Sequence, residues 1–557
     1  MDEDRSLPKR PWDTCREVPI IEDEQTPWKM IKLLKIITLC VVALIVFGLA
    51  VCSKTSFLLL ITLSKEDTKT LSAEQKPVAL LCIGCALIAS SVLLLQKSLW
   101  KACYKSSKLP DKKTVALVMF FEFLAAIGAA ILTMVAMPHL DIVTNVTILN
   151  GVAVLSALLQ VITQCAAKER NRFLLPSIIA FILILLGYAL FLYLYIMKDP
   201  TDSKMIIWVG LAVGSSFLVS FNWWEGYLRL ISVNSTSVFL RELCRDTRRC
   251  QNMLNIISSL LRIAVTACVL GAYVPLAKMD WKIVTLIPSR ETKIIAIIIG
   301  VQLISSALCH WFSLVACKMH ALRRCFIVPL YLASLAVMVL FVAPVIVYYQ
   351  DYRTSLNGTS INFTGYCNQV VDGRTPSLNG SVFPQLVLDV THTLCFLDMS
   401  KMADIGLLTG SAVSWWLGLV LATLHLWYLS LYRIQRTQDL FIRRLYEGGF
   451  LEQSLLLNTR FDIQTTAKRK QFTSLAPVKV FLCATMWHEN YNEMMKMLIS
   501  IFRLDKYRPK KEGETSDVNF EAHIYFDDAF RDVPGCRGRQ VNEYAEMLVE
   551  IIREVYG

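Results

Sequence analysis

The sequence is poor in charged residues. Only 18% of its 557 residues are Asp, Glu, Lys or Arg, against about 25% in soluble globular domains. Apolar residues make up 55% and gather in runs near the ~20 residues that an α-helix needs to cross about 30 Å of hydrocarbon. A soluble globular fold is therefore excluded for most of the chain, and a polytopic membrane protein is expected.

Neither a cleavable signal peptide nor a zinc motif can be recognised. The first 32 residues mix acids, bases and prolines, and no small-residue cleavage site follows the first apolar run. That run is therefore interpreted as a retained span. The 17 cysteines are scattered, and the Cys82-x-x-Cys85 pair lies inside an apolar run without a second pair at zinc spacing. No metal site is expected among the cysteines.

Ten apolar runs between residues 33 and 432 are predicted to span the membrane. The seventh run carries Arg262 in its middle. The runs lie near residues 34–53, 78–96, 114–137, 142–163, 173–196, 205–223, 252–276, 294–317, 325–348 and 406–432.

Lys and Arg in the short loops predict the orientation, because such residues stay on the cytosolic side. The third loop, 138–141, contains none. Both termini are therefore predicted to be cytosolic, and the protein is expected in the plasma membrane. The second loop is the most basic, with Lys97, Lys101, Lys105, Lys108, Lys112 and Lys113.

The longest loop, at about 349–405, is assigned to the outside. It holds three glycosylation sequons, at Asn357, Asn362 and Asn379, and sugar is added to such motifs in surface loops of secreted proteins. Cys367 and Cys395 lie in the same loop, where an oxidising compartment permits a disulfide. We expect glycosylation there, while the sequence leaves the disulfide open.

The net charge of +12 is explained by basic cytosolic loops that face anionic lipid headgroups. The partner that this charge indicates is the lipid bilayer and not a nucleic acid. Among the ionisable residues within the predicted spans are Glu122, Arg262, His310 and His425. An intramembrane charge suggests a functional site, but we favour the interpretation that Glu122 and Arg262 pair to hold helices together.

Past residue 432 the composition changes. A basic juxtamembrane segment and linker, 433–476, leads into a pattern of strand, helix, strand and helix over 477–557. The first strand is predicted from Val478 to Cys483, and Asn490 with Glu493 forms a capping box that starts a helix. This order is typical of a parallel α/β sheet, in which ligands bind beyond the carboxyl ends of the strands. The segment 484–489 occupies that position.

The helices of this pattern have apolar faces. Met494, Met495, Leu498, Ile499 and Phe502 recur at helical spacing and are interpreted as core. The second strand is predicted from Phe520 to Phe526. A last helix is predicted from a cap at Asn542 to Tyr556, and its inward residues are expected to be Leu548, Val549 and Ile552.

Three segments of the C-terminal region resemble a known enzyme family. "CATMWHENYNEMMKMLISIFRLD", "FEAHIYFDDAF" and "VNEYAEMLVEIIREVYG" follow one another over 477–557. They resemble the start of the catalytic domain of animal-type chitin synthases, which are processive family-2 glycosyltransferases. Over 1–432 the similarity is architectural only. The expected fold is a mainly α-helical polytopic membrane protein followed by a partial cytosolic α/β domain.

The resemblance implies transfer of N-acetylglucosamine from UDP-N-acetylglucosamine to a growing β-1,4-linked chitin chain. It also implies a divalent metal, Mg²⁺ or Mn²⁺, in the complete enzyme. By the same resemblance, the loop after the first strand contacts the uridine nucleotide, which assigns that role to Ala484, Thr485, Trp487 and Glu489. A homo-oligomer is left open.

The resemblance also has a limit. The family's metal-binding aspartates come after a later strand, so Asp527 and Asp528 are interpreted as a strand-end cap and not as metal ligands. The family's metal, catalytic-base and acceptor motifs are expected beyond Gly557, so no catalytic residue is named, and the chain is expected to be incomplete and inactive alone. The alternatives are a non-catalytic scaffold or regulator that descends from such an enzyme, or a membrane transporter.

Overall fold

The computed structural model describes most of the chain. Its described residues are 28–65, 75–104, 108–165, 173–198, 203–234, 237–282, 290–319, 322–355, 363–371, 387–388, 390–391, 402–428, 447–459, 478–507, 518–532 and 539–556. The chain divides into two compact units, a membrane unit within Ile31–Ile463 and a C-terminal unit within Gln464–Gly557. Each is described by itself.

The membrane unit is helical, and its described part contains ten helical stretches long and apolar enough to cross a membrane. Each of the ten predicted spans overlaps one of these stretches. The helices are α1 (Trp28–Leu63), α2 (Lys76–Tyr104), α3 (Lys112–Ala130), α4 (Ile142–Ile148), α5 (Val154–Cys165), α6 (Leu174–Lys198), α7 (Ser203–Val219), α8 (Glu225–Asn234), α9 (Val238–Arg249), α10 (Gln251–Leu276), α11 (Arg290–Lys318), α12 (Val328–Ser355), α13 (Phe363–Val371), α14 (Met402–Ala422), α15 (His425–Tyr428) and α16 (Leu451–Leu457).

Several spans depart from a plain helix. The third continues from α3 through a π-helical turn, Ile131–Ala136, and a 3-10 turn, Met137–His139. The fourth is broken between α4 and α5 by the 3-10 turn Gly151–Ala153. Irregular backbone is tolerated at membrane depth only where protein surrounds it, and the fourth span is accordingly the most buried of the ten.

Small residues let the helices approach closely, as membrane helix pairs commonly require. At Gly128 of α3, an added Cβ would lie 2.6 Å from Leu218 Cβ and 2.8 Å from the backbone nitrogen of Val219 on α7. The helix pairs α6 with α14 and α2 with α10 are the most extensively packed. This packing leaves apolar side chains such as Val339, 64% exposed, on the outside, where a bilayer would cover them.

A short segment enters the interior of the membrane unit after the last span. We call residues Glu447–Thr459 the re-entrant segment. It consists of the 3-10 turn Gly448–Phe450 and helix α16, and each of its residues is buried. It packs against α2, α11 and α12. The segment falls within the region 433–476, for which the sequence predicted a basic juxtamembrane stretch and linker.

The C-terminal unit begins with a strand–helix–strand crossover. Strands β1 (Val478–Met486) and β2 (Val518–Phe526) pair in parallel with Val478 opposite Val518 and Met486 opposite Phe526. Helix α17 (Tyr491–Tyr507) joins them. A small antiparallel pair, β3 (Phe530–Asp532) with β4 (Arg539–Val541), then leads into α18 (Glu543–Tyr556). The predicted fold class is confirmed.

The core of this unit lies between one sheet face and the two helices. Met494, Met495, Leu498 and Ile499 are buried as predicted, against Met486 and the apolar face of α18. The expected inward residues of α18 were partly wrong. Val549 is 47% exposed, whereas Ile551 and Val555 are fully buried, because the buried positions Leu548, Ile551 and Val555 recur at spacings of three and four on one helix face.

Candidate functional site

The carboxyl ends of β1 and β2 meet at one edge of the sheet, where a parallel α/β sheet binds its ligands. The backbone N–H of Asp527, just after β2, donates a 2.8 Å hydrogen bond to the carbonyl of Met486, the last residue of β1. The side chain of Met486 is buried in the core. The two strand ends are thus held together, and the loop that follows β1 starts from a fixed point.

Strand β1 is longer than predicted, and this changes the position of two expected nucleotide contacts. The ladder with β2 continues to Met486, so Ala484 and Thr485 pair with Ile524 and Tyr525 inside the sheet. Because strand side chains alternate between faces, Ala484 shares the helix-covered side with Met486. Thr485 is exposed on the opposite side. The expectation that Ala484 and Thr485 belong to the loop was wrong.

The loop itself presents an aromatic platform. Trp487 is 58% exposed, and its ring stacks on His488 with centroids 4.5 Å apart and planes at 15°. His488 in turn stacks on Tyr544, in the first turn of α18, at 4.7 Å and 22°. The stack fixes the orientation of Trp487 while much of its surface stays open. Tyr544 was missed by the sequence analysis, although the predicted cap at Asn542 places it in that first turn.

Glu489 also acts within the loop. One of its carboxylate oxygens accepts a 2.5 Å hydrogen bond from the backbone N–H of Trp487, which tightens the turn and sets the position of the charge. The predicted capping box follows directly. Asn490 Oδ1 accepts from the Glu493 N–H at 3.0 Å, and Glu493 Oε2 accepts from the Asn490 N–H at 3.2 Å. The loop is therefore closed by reciprocal bonds at the start of α17.

An exposed contact joins the start of α17 to the last turn of α18. The Tyr491 hydroxyl donates a 2.6 Å hydrogen bond to Glu554 Oε2. This bond to a carboxylate raises the pKa of Tyr491, because the bond stabilises the protonated phenol.

Asp527 and Asp528 follow the end of β2, and backbone contacts hold this turn in place. Asp528 has a positive φ of 58°, and its carbonyl accepts a 2.6 Å hydrogen bond from Asn542 Nδ2. The same side chain caps α18, because Asn542 Oδ1 accepts from the Ala545 N–H at 2.8 Å. Within the described ranges no group of three or more His, Cys, Asp or Glu side chains could hold a metal ion. The metal that the resemblance implies thus has no ligand set in this part of the chain.

The membrane unit contains a buried ionic cluster that the sequence predicted in part. Arg262 Nε lies 2.5 Å from Glu122 Oε2, so the expected pairing of these two residues is confirmed. The guanidinium also donates to Glu447 of the re-entrant segment and to Asn222. All four side chains are buried. We call them the Arg262 cluster.

A second buried cluster was missed. Lys54 Nζ donates to Glu452 Oε2 at 2.7 Å and to Ser334 Oγ at 2.8 Å. The first span was predicted to end at residue 53, whereas α1 continues to Leu63 and so places Lys54 inside it. The available signal was a lone lysine followed by ten residues without charge, and two lone acids in "EGGFLEQSLLL". We call Lys54, Glu452 and Ser334 the Lys54 cluster.

The predicted outer-loop sites fall largely outside the described residues. Asn357, Asn362, Asn379 and Cys395 all lie there. Cys367 is disulfide-bonded. Glycosylation of the three asparagines and the pairing of Cys367 with Cys395 stay predictions.

Comparison with known proteins supports the resemblance over part of the chain. No family model matches. A chitin synthase of Caenorhabditis elegans, chs-2, is 28% identical over 181 residues, which is 23% of this chain and 11% of that protein. The chitin synthase chs-1 of the same organism is 42% identical over 85 residues, which is 14% of this chain and 6% of that protein.

A chitin synthase of Meloidogyne artiellia is 52% identical over 84 residues, which is 14% of this chain and 4% of that protein. The predicted similarity to animal-type chitin synthases is therefore confirmed. The matched segments span 4% to 11% of the relatives' lengths.

Proposed function

We propose that this chain contributes the membrane unit and the beginning of the glycosyltransferase domain to a chitin synthase. The reaction is transfer of N-acetylglucosamine from UDP-N-acetylglucosamine to a growing β-1,4-linked chitin chain. The observation that carries the proposal is the sequence similarity to curated chitin synthases together with a parallel β1–α17–β2 crossover that ends in an open aromatic loop. Both termini are proposed to be cytosolic, which puts the loop on the side of the sugar nucleotide, in a plasma-membrane protein.

The role proposed for this loop is uridine binding. Trp487 offers a flat apolar face for the uracil ring, and its stack on His488 and Tyr544 holds that face ready before the nucleotide arrives. A tryptophan that only packed the sheet edge would be covered, whereas Trp487 is 58% exposed. Glu489, fixed by its bond to the Trp487 N–H, is placed to accept a hydrogen bond from uracil or ribose.

Thr485 and Ala484 are expected to contribute less to nucleotide binding than Trp487 and Glu489. The exposed Thr485 hydroxyl lies on the sheet face two residues before Trp487 and can reach a ligand at the strand end. Ala484 faces the helices and only shapes the sheet. The transferase chemistry and the divalent metal belong to residues outside the described part of the chain, so no catalytic step is assigned to the residues here.

The proposal is tested by nucleotide binding to the full chain in detergent or nanodiscs. Saturation-transfer NMR with UDP is expected to show contact to the uracil protons. Trp487→Ala is expected to reduce affinity about five- to 150-fold, since stacking of a base on an aromatic ring contributes about 1–3 kcal/mol. Phe481→Ala is the matched control, because Phe481 is 52% exposed on the same strand but lies five residues before its end.

Two results would overturn the proposal. One is the absence of any UDP contact in the intact chain, and the other is an equal loss of affinity in Trp487→Ala and Phe481→Ala. Transport by the ten spans stays the alternative, and solute flux through the chain in proteoliposomes that is lost in Glu122→Gln would favour it.

A further inference from the structure

The two buried clusters of the membrane unit differ in their charge balance. The Lys54 cluster contains one ammonium and one carboxylate, so its formal charges cancel. The Arg262 cluster contains one guanidinium but two carboxylates, those of Glu122 and Glu447. With every group ionised, the second cluster would carry one uncompensated negative charge.

Glu447 is the member of the Arg262 cluster with an unused oxygen. Its Oε1 accepts from Arg262 and, at 3.2 Å, from Asn222 Nδ2. Its Oε2 has no hydrogen-bond partner within the described residues. The residue is only 4% exposed, so this oxygen is also withdrawn from bulk solvent.

Among the side chains that the structure describes, no second cation is seen beside Glu447 to balance the charge. Of the described ionisable groups, Arg262 on α10 and Glu122 on α3 act electrostatically on Glu447. Asn222, from the 3-10 turn after α7, is neutral, and so is Gln302 of α11 beside Gly448. Lys54 is engaged by Glu452 further along the re-entrant segment.

An ionised carboxylate oxygen without a partner is among the most costly groups to bury. The Arg262 cluster is far from the ends of its helices, because Glu122 lies near the middle of α3 and Arg262 near the middle of α10. A neutral carboxylic acid at the same place costs far less. Adding a proton to Glu447 Oε2 leaves its Oε1 free to accept from Arg262 and Asn222, so the observed bonds are preserved.

We propose that the Arg262 cluster binds one proton, carried on Glu447 Oε2, whenever the re-entrant segment is docked at neutral pH. The proton comes from the solvent as the segment enters the bundle. A glutamate in water at neutral pH is ionised, so docking takes up one proton and undocking releases it.

This uptake gives docking a pH dependence of defined sign. Because the docked state holds one more proton than the undocked state, rising pH favours undocking, by up to tenfold in the equilibrium constant per pH unit. Glu452 Oε1 of the Lys54 cluster also has no described partner, but Lys54 balances its charge, so this cluster predicts no such dependence at neutral pH. The proton therefore links the position of the re-entrant segment to pH.

Infrared difference spectroscopy of the full chain in nanodiscs tests the proton directly. At pH 7 the wild type minus Glu447→Gln spectrum is expected to contain the carbonyl stretch of one protonated carboxylic acid, shifted in ²H₂O. Wild type minus Glu452→Gln, the control from the same segment, is expected to lack it. A Glu447 difference that shows only ionised carboxylate bands would overturn the proposal.

Hydrogen exchange tests the linkage. The protection of peptide 447–459 is compared between wild type and Glu447→Gln at each pH, so that the intrinsic pH dependence of exchange cancels. The wild type is expected to lose protection relative to the variant, by up to tenfold per pH unit, as pH rises. Parallel pH profiles would overturn the proposal. If Glu447→Gln fails to fold, Glu122→Gln, which also removes the charge excess, gives the same two readouts.

Discussion

The membrane unit and the C-terminal unit place charge in opposite locations. In the membrane unit, Arg262, Glu122 and Lys54 are buried at 1% to 5% exposure, while apolar side chains such as Val339 point outward. In the C-terminal unit, Met494 and Ile551 form the core and the charged residues of α18 are exposed. The difference follows from the solvent of each unit, because lipid tails are as apolar as the helix surfaces and so supply no hydrophobic driving force for helix association.

The two units differ in the contacts that make their folded structures specific. The membrane unit adds buried polar contacts between spans to its apolar packing, whereas the core of the C-terminal unit is apolar. If so, equivalent substitutions should have different effects in the two units, and the following changes measure that difference.

The largest loss of stability is expected for Arg262→Met. It leaves Glu122 and Glu447 buried without their cation, and breaking a buried pair in this way costs about 3–5 kcal/mol. Thermal unfolding of the purified chain and its size-exclusion profile check the result. Arg248→Met, at an exposed position of α9, is the control and should behave as wild type. A stable, monodisperse Arg262→Met protein would show that the cluster does not hold the bundle together.

A smaller effect than that of Arg262→Met is expected for Gly448→Ala. A Cβ at Gly448 would lie 2.8 Å from the carbonyl oxygen of Ala86 on α2, so the re-entrant segment would have to shift, at about 1–3 kcal/mol. Limited proteolysis between residues 429 and 477 should accelerate. Gly300→Ala, where a Cβ has nothing within 4 Å, should leave the cleavage rate unchanged, and equal rates in the two variants would contradict the buried position of the segment.

In the C-terminal unit, a smaller effect is expected for Asn542→Ala. The side chain caps α18 and holds the carbonyl of Asp528, and loss of such a cap costs about 0.5–2 kcal/mol. Hydrogen exchange of peptide 543–556 should increase, and that of α17 much less. Glu550→Ala, on the exposed side of the same helix, serves as the control. An unchanged exchange rate in Asn542→Ala would show that the Asn542 side chain does not stabilise α18.

The smallest effect is expected for Val549→Ala. Val549 is 47% exposed, and surface substitutions of this kind usually change stability by less than about 0.5 kcal/mol. Its near neighbour Ile551 is fully buried, so Ile551→Ala should cost about 2–5 kcal/mol. Thermal unfolding of the two variants ranks them, and a reversed order would mean that the inward face of α18 has been misassigned.

Much of the fold could be predicted from the sequence because it follows from local patterns. Runs of apolar residues gave all ten spans, and the capping box at Asn490 and Glu493 gave the start of α17. The inward face of α18 was only half predicted, because Val549 and Ile551 are equally apolar and only packing against α17 and the sheet distinguishes them. The end of β1 was misplaced because pairing with β2 is not local.

The sites were predictable to a smaller extent. The pairing of Glu122 with Arg262 followed from the cost of burying either charge alone. The engagement of Arg262 by Glu447 joins residues 185 positions apart, and no local pattern reports such a contact. The Trp487–His488–Tyr544 stack likewise depends on how α18 returns to the loop after β1.

The central claim is that the loop after β1 lies against a uridine nucleotide. Photo-crosslinking of the full chain with an azido-uracil analogue of UDP-N-acetylglucosamine, followed by peptide mapping, tests it most directly. The account predicts labelling at residues 484–489 that excess UDP suppresses and that Trp487→Ala reduces. Labelling confined to other peptides, or labelling that UDP does not compete with, would contradict it.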